Sequence, residues 1–511
     1  MIKLSNFKRP NNKKTILMEI VHNKSSLHSS LKILFVLLIV NNPVLFGQTT
    51  SKEAMEADFE KFKNASKKEF QQYKDERDKE FADLLKKSWT IFDLENSKEP
   101  PPVPLPPKQP EKLPQAPKQN NDKKIPSIKP VSFVFPTEET VVKTIPSNQN
   151  DLLPLNKKVS FYNVEIAFNY QKEMMTHCLE INEKGVSDYW NTMSNSNYPA
   201  LLEDVKNIGL RLQLNDWGYF DLIDKMAEEL VSDKNDQTLF CFFMLSHLNF
   251  DVKVAKKNNN FILLVPFETI VYKKSFITID EIKYYIIGDD SEGSIYTFKQ
   301  RFSNANKPIN LSLSKNIKLG NDYKSKNIYL KKIDKTIEVK YNTNLIHFFN
   351  QIPMSDLSVF FNSKLDPITE NSLVKAITPL IENKNELEAV NIILDFVQNA
   401  FEYKTDIDQF GYEKFYFPED IFHYPYSDCE DRSILFSHLI KTILKLDVIG
   451  LEYNTHAACA VKFSSEINGD SITFNGAKYI ICDPTYIGAS AGMSMPQFAN
   501  EKPEVIKTTY N

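Results

Sequence analysis

The sequence predicts an α+β protein, and the clearest evidence lies near the carboxyl end. An apolar run that begins at Cys429 has apolar residues on several sides, as a helix buried at the centre of a domain does. Two short apolar runs follow, at 456–461 and 479–483, and both have the length and pattern of strands. A helix followed by separate strands is typical of an α+β domain.

Three residues with acid–base chemistry stand at the ends of these elements. Ser427 and Glu430 match an S-x-x-E capping box, which predicts Ser427 as the helix N-cap and places Cys429 in the first turn. A thiol at that position faces the positive end of the helix dipole, which favours the thiolate. His456 opens the first strand, and Asp483 ends the second.

This order of residues has a chemical interpretation. A cysteine nucleophile needs a base within hydrogen-bond reach, and the base needs a group that orients it. The sequence predicts Cys429 as the nucleophile, His456 as the base and Asp483 as the orienting group. The alternative is an inert core cysteine and a structural histidine. Three such residues at element ends favour the triad, and we expect no cofactor or metal.

The surrounding motifs resemble those of the transglutaminase-like superfamily, secreted bacterial type. They are Ser-Asp-Cys429-Glu-Asp-Arg, His456-Ala-Ala-Cys-Ala-Val and Cys-Asp483-Pro-Thr-Tyr, and the resemblance covers the carboxyl-terminal part of the chain. It implies a papain-like α+β domain with a Cys-His-Asp triad on a helix and the antiparallel strands after it. The superfamily includes cross-linking enzymes, peptidases, amidases and inactive copies, so the resemblance does not define the reaction.

An earlier stretch, 200–290, resembles a degenerate second copy of 400–485. The run 239–252 aligns without gaps on 435–448 (435 − 239 = 196), and a Trp-Gly-Tyr at Trp217 matches the Phe-Gly-Tyr at Phe410. Several matches in the same order predict a duplication, and therefore tandem transglutaminase-like domains. The alternative is two unrelated α+β segments.

The two copies differ where the chemistry would occur. Asp233 takes the place of Cys429 and Asn260 that of His456, while a second shift (483 − 289 = 194) aligns Asp289 with the triad aspartate. Aspartate and asparagine cannot replace a thiolate and its base. We therefore expect the first copy to be inactive and to support the second copy or shape its cleft.

The amino-terminal segment 1–47 predicts export to the periplasm, the cell surface or the medium. A basic lead precedes the apolar stretch 33–40, which is too short to span a bilayer comfortably. An uncleaved anchor is the alternative, so membrane anchoring is not expected, and the start at Met1 or Met18 stays open. The five cysteines leave at least one thiol unpaired. If His456 faced Asp483 directly, the two remaining cysteines nearby would be diagonal neighbours, beyond disulfide reach.

Residues 51–95 predict a long amphipathic helix. Aromatic residues recur along it at intervals of 11 (70 − 59 = 11), which keeps the stripe nearly straight; they are Phe59, Phe70, Phe81 and Phe92. Such a stripe needs a partner, and self-association through this helix is one possibility. The polar face carries both signs of charge, unlike that of a membrane-surface helix. The proline-rich residues 96–130 predict a semi-rigid spacer.

Six segments result. In chain order they are a signal peptide (1–47), the long helix (51–95), the proline-rich linker (96–130), the degenerate transglutaminase-like domain (155–295), a β-rich connector (296–355) and the transglutaminase-like catalytic domain (356–511).

Taken together, the sequence predicts an exported cysteine-dependent acyl-transfer enzyme that hydrolyses a peptide or protein amide. The net charge of −4 gives no reason to expect nucleic acid. The alternatives are a non-catalytic binding or assembly module and a cross-linking transferase. Cross-linking needs a channel that excludes water, commonly lined by tryptophans, and the three tryptophans all precede the second copy; they are Trp89, Trp190 and Trp217. The second oxyanion-hole donor stays unassigned.

Overall fold

The computed structural model describes residues 52–100, 109, 115–119, 125–128, 142–146, 153–288, 293–330 and 334–509. Within these residues the protein is a mixed α+β chain. The expected signal peptide, 1–47, and Asp289 lie outside the described residues. No described helix combines the length and the apolar character that crossing a bilayer requires.

The first helix is shorter than the sequence predicted. Helix α1 spans Lys52–Leu85, and strands β1 (Thr90–Asp93) and β2 (Glu95–Asn96) follow it. The predicted helix 51–95 is therefore wrong beyond Leu85. Phe92 lies on β1 and pairs with Ile295, because Thr90, Ile91 and Phe92 are β-branched or aromatic residues that suit a strand. The described residues 52–80 belong to one unit, and Phe81 begins the other.

The first half of the larger unit contains a small sheet and four helices. Strands β3 (Thr144–Ile145), β4 (Leu155–Phe161) and β5 (Val164–Tyr170) form a sheet of order β3-β5-β4, and a 3₁₀ turn, Lys172–Met175, follows. The helices are α2 (Glu183–Ser194), α3 (Tyr198–Leu212), α4 (Asp216–Leu230) and α5 (Lys234–His247).

A seven-stranded sheet follows these helices. Its order is β1-β10-β6-β7-β9-β8-β2, and every neighbouring pair is antiparallel. The new strands are β6 (Lys253–Lys257), β7 (Asn260–Val265), β8 (Ser275–Ile279), β9 (Ile282–Ile287) and β10 (Ser294–Thr297). Helix α5 packs against β7 with an apolar run that is buried on all sides.

The predicted connector contains an antiparallel hairpin of β11 (Tyr323–Leu330) and β12 (Lys335–Asn342). A series of helices leads from it to the second sheet. They are α6 (Thr343–Phe349), α7 (Leu357–Phe361), α8 (Pro367–Ile381), α9 (Glu386–Ala400), α10 (Asp406–Phe410) and α11 (Asp420–His423).

The second sheet has five antiparallel strands in the order β17-β18-β16-β15-β19. They are β15 (Asp447–Tyr453), β16 (His456–Lys462), β17 (Ser471–Phe474), β18 (Ala477–Cys482) and β19 (Glu504–Lys507). Before them, β13 (Glu402–Tyr403) and β14 (Tyr426–Ser427) form a parallel pair. Helix α12 (Cys429–Leu439) continues into a π-helical turn, Ile440–Leu444, and packs against β16.

The two large sheets repeat one topology. In each, a buried helix precedes two hairpins, and the strand orders β6-β7-β9-β8 and β15-β16-β18-β17 correspond. The first hairpins share their register, since Lys253 pairs with Leu264 and Ile449 pairs with Ala460. Each residue of the second pair lies 196 positions after its equivalent in the first pair (449 − 253 = 196), which is the shift that the sequence alignment used.

The register of the last strand corrects one part of that alignment. Leu263 on β7 pairs with Ile287, and the equivalent residue on β16, Cys459, pairs with Cys482. Ile287 therefore corresponds to Cys482, and the next residue, Gly288, corresponds to Asp483. In this register the position equivalent to Asp483 is Gly288, one residue before the predicted match.

Candidate active site

The start of helix α12 differs by one residue from the predicted cap. Asp428 is the N-cap, and it forms a capping box with Asp431, whose Oδ2 accepts a hydrogen bond from the Asp428 N–H at 3.2 Å. Ser427 belongs instead to β14, where it pairs with Tyr403. The strand contact decides between two overlapping capping patterns. Cys429 becomes the first residue of the helix.

The structure brings the three predicted residues into one hydrogen-bonded chain. Cys429 Sγ lies 3.0 Å from His456 Nδ1, and His456 Nε2 lies 2.8 Å from Asp483 Oδ2. The exposed fractions are 0% for Cys429 and 3% for each of the other two. This geometry meets the requirement for a nucleophile, a base and an orienting carboxylate.

The strand register around the site differs from the predicted one. Cys459 on β16 faces Cys482 on β18 directly, so the expected diagonal placement of these cysteines is wrong. Both are free thiols. Asp483 lies just past the end of β18 and contacts His456 without facing it across the ladder.

Charges within the site favour a protonated imidazole. Burial alone would lower the pKa of His456, but the Asp483 carboxylate and Cys429 raise that pKa well above its usual value. Burial would raise the pKa of Asp483, but His456 and the hydrogen bonds from Thr485 lower it. His456 Nδ1 lies 3.0 Å from Sγ, within reach for proton exchange with the sulfur.

Several neighbours hold the base and the carboxylate in place. The Thr485 N–H and Oγ1–H each donate to Asp483 Oδ1 at 2.9 Å, and the Tyr486 N–H donates to the same oxygen at 3.1 Å. The other carboxylate oxygen of Asp483, Oδ2, contacts His456. Phe498 stacks on the His456 ring with centroids 4.5 Å apart. The imidazole therefore has one orientation, set from both ends and one face.

Two buried polar residues that the sequence analysis did not single out connect α9, α12 and the loop after β18. Gln398 donates to the carbonyl oxygens of Asp483 at 3.0 Å and Tyr486 at 2.8 Å. Arg432 donates to the carbonyl oxygens of Gln398 at 3.3 Å and Phe401 at 2.7 Å. No short motif marks Gln398, whereas Arg432 falls within the Ser-Asp-Cys429-Glu-Asp-Arg motif without a predicted catalytic role of its own.

Two further hydroxyl groups lie near the sulfur. Tyr403 on β13 places its hydroxyl 3.6 Å from Cys429 Sγ, and Thr485 Oγ1 lies 3.8 Å from the same atom. Sequence reasoning missed both. Tyr403 precedes Cys429 by 26 residues and comes close only because β13 pairs with β14.

Three buried carboxyl groups gather beside the helix start. Oxygen atoms of Asp406, Glu413 and Asp428 lie within 4.8 Å of one another, and neither Glu413 side-chain oxygen has a hydrogen-bond partner. Burial and the charge of Asp428 raise the pKa of Asp406 to about 9 and that of Glu413 to about 8. Carboxyl groups in this arrangement share protons near neutral pH, and their oxygens could also hold a divalent cation.

At the start of α5 and of β7, the positions equivalent to Cys429 and His456 hold other residue types. Asp233 caps α5 by accepting from the N–H groups of Asn235 at 2.8 Å and Asp236 at 3.2 Å. Counted from the cap, Lys234 occupies the position of Cys429. Asn260 begins β7 with an exposed side chain. The first sheet thus keeps the topology without a thiol or an imidazole at these positions.

The described part of the predicted spacer contacts the loop that carries the triad aspartate. Gln109 Nε2 donates to the Thr485 carbonyl oxygen at 2.8 Å, and Gln109 Oε1 accepts from the Ile487 N–H at 3.1 Å. Gln119 likewise accepts from the Asn468 N–H at 2.9 Å. The amide side chains of these described linker residues thus satisfy backbone groups of the carboxyl-terminal loops.

No family model, curated protein or solved structure matches this chain. The resemblance to the transglutaminase-like superfamily therefore depends on the three motifs.

Proposed function

We propose that this chain is an exported cysteine-dependent acyl-transfer enzyme of the transglutaminase-like superfamily, which hydrolyses a peptide or protein amide. The observation that carries the proposal is the chain of contacts from Cys429 Sγ to His456 at 3.0 Å and from His456 to Asp483 at 2.8 Å. The first copy supports the fold without taking part in the chemistry.

Each step of the reaction uses these three residues. The thiolate lone pair of Cys429 forms a bond with the amide carbon, and the carbonyl π electrons move to oxygen. When the carbonyl reforms, the C–N bond breaks and the leaving nitrogen takes the proton from His456. A water molecule then gives its proton to His456 and attacks the thioester, which releases the acid and restores Cys429. Asp483 stabilises the imidazolium throughout.

The positions of the tryptophans favour water as the second nucleophile. Trp190 packs against Phe81, Phe243 and Phe302 in the first half of the unit and is 1% exposed. Trp217 stacks on Phe220 with centroids 4.6 Å apart. Both indole rings are buried in that core. They support a hydrolase better than a cross-linking transferase, which needs a dry channel for an amine.

The test is to incubate the purified protein with peptide and protein amides beside a Cys429→Ala variant. We expect hydrolysis by the wild type, an acyl group on Cys429 in the mass spectrum of the trapped enzyme, and neither for the variant. Cys178→Ala is the matched control and should retain both. A folded wild type that forms no acyl-enzyme with any of these substrates would support the non-catalytic binding module.

A further inference from the structure

The Tyr403 side chain has a distinct place at the site. Tyr403 is the second residue of β13 and pairs in parallel with Ser427. Ser427 stands two positions before the nucleophile, Cys429. The hydroxyl thereby reaches to 3.6 Å from Cys429 Sγ. Cys429, His456 and Asp483 are buried, whereas Tyr403 is only partly buried. The sulfur is therefore contacted by a side chain that is itself partly accessible to solvent.

The ring of Tyr403 packs against a buried cation. The Arg432 guanidinium lies 5.5 Å from the ring centroid, which is a cation–π distance. Arg432 is itself fixed by the carbonyl oxygens of Gln398 and Phe401. The hydroxyl is thus preorganised and need not reorient when the reaction begins. Preorganised donors of this kind stabilise charge that develops in a transition state.

The chemistry requires a donor at this point. When the sulfur attacks, the carbonyl oxygen becomes an oxyanion. The oxyanion and the sulfur are then bonded to the same carbon, so the oxyanion forms close to the sulfur. The Cys429 N–H is among the first N–H groups of α12, which have no acceptor within the helix, and it can supply one hydrogen bond. Burial and the neighbouring Cys429 raise the pKa of Tyr403, so its hydroxyl keeps its proton and remains a donor.

We propose that Tyr403 is a catalytic residue, the second oxyanion-hole donor beside the Cys429 N–H. This inference rests on the proposed acyl transfer. Tyr403 donates a hydrogen bond to the oxyanion and transfers no proton, so the proton balance of the reaction still belongs to His456. The role differs from simple stabilisation of the thiolate, because an oxyanion forms in acylation and does not form in alkylation.

That difference provides the experiment. Wild type and Tyr403→Phe are treated with p-nitrophenyl acetate, which acylates a thiol through an oxyanion, and separately with iodoacetamide, which alkylates without one. Modification at Cys429 is followed by mass spectrometry. We expect Tyr403→Phe to slow acetylation about 10²-fold, the usual effect of removing one oxyanion-hole donor, and to leave the alkylation rate unchanged. The unchanged alkylation rate also reports that the thiol and His456 remain in place.

Tyr424→Phe is the matched control, since it removes a tyrosine hydroxyl that bonds to Asn350 instead of the sulfur. It should acetylate like the wild type. Equal losses of acetylation and alkylation in Tyr403→Phe would overturn the proposal in favour of a role in positioning the thiol. Undiminished acetylation in Tyr403→Phe would remove Tyr403 from the reaction and leave the proposed function standing. A wild type that alkylates at Cys429 but never acetylates there would refute both.

Discussion

At the scale of single residues, the five cysteines differ in environment. Burial raises the pKa of Cys178 to about 11 and raises that of Cys241 well above its usual value. Cys459 and Cys482 are buried, and burial raises the pKa of both. Cys429 differs from them because an imidazole lies 3.0 Å from its sulfur. Reactivity should therefore follow the charge partner more closely than exposure.

We expect iodoacetamide to label Cys429 faster than any other cysteine near pH 7. His456→Ala should slow this labelling at least about tenfold, since an ordinary thiol is only a few per cent ionised at that pH. The measurement is time-resolved mass spectrometry of cysteine peptides. Cys429 is 0% exposed, so a small neutral reagent should act faster than a bulky one. Faster labelling of the half-buried Cys178 would count against the site.

The carboxyl cluster gives a second prediction at this scale. Glu413 has a folded pKa of about 8, and an unfolded glutamate ionises near about 4.3. Between these values the folded state holds a proton that the unfolded state has lost, so the wild type loses stability as pH rises through this window. Glu413→Gln mimics the protonated group. It should raise Tm by about 2–4 °C at pH 8 and leave it unchanged at pH 4.

Thermal melts in the presence of a chelator test this expectation, with Glu501→Gln as an exchange outside the cluster. A Tm gain at pH 4 equal to that at pH 8 would contradict the shared-proton interpretation. Stabilisation of the wild type by added Ca²⁺, abolished in Glu413→Gln, would mean instead that the cluster holds a cation.

At the scale of elements, α12 combines two functions. Its first turn presents Cys429, and the Arg432 side chain one turn later joins β14 to the end of α9 through Ser427, Gln398 and Phe401. Arg432 is 1% exposed, so its removal would leave buried acceptors without donors. The helix that carries the nucleophile is thus tied to the strand pair that carries Tyr403.

We expect Arg432→Met to lower the free energy of unfolding by about 3 kcal/mol, through the loss of hydrogen bonds from a charged group to buried acceptors. Urea denaturation measures the change. Arg211→Met, on the exposed side of α3, should change it little. Equal stability of the Arg432 variant and the wild type would show that these contacts contribute little to the fold.

At the scale of the whole molecule, one strand order occurs in both large sheets, and among the described residues the Cys-His-Asp contacts lie at the second sheet. Both sheets place a buried helix against a hairpin with the same register. Residues of α5 and α12, such as Phe240 and Phe436, belong to one apolar cluster. The first copy therefore contributes core to the unit. The described linker residues add contacts to the loop at Thr485.

Supplied with a glutamine-containing peptide and a labelled primary amine, the protein should produce mainly the free acid. The tryptophans are buried in the first half, and water at its bulk concentration outcompetes an amine where no dry channel exists. Mass spectrometry of the peptide distinguishes the two products, and Cys429→Ala provides the background. Products dominated by the amine adduct would identify a transferase.

The sequence by itself determined the apolar helix that carries Cys429 in its first turn and the two strands at His456 and before Asp483. Local apolar patterns and polar residues at element ends carry that information. Only the tertiary structure decided the N-cap at Asp428, the facing of Cys459 and Cys482, and the end of α1 before Phe92. Each depends on pairing with a strand distant in the chain, and local patterns do not encode the partner's register. Tyr403, Gln398 and Glu413 were not predicted for the same reason, because no short motif spans the parts of the chain that they bring together. Tyr403 contacts the sulfur, Gln398 bonds to the loop after β18, and Glu413 belongs to the carboxyl cluster.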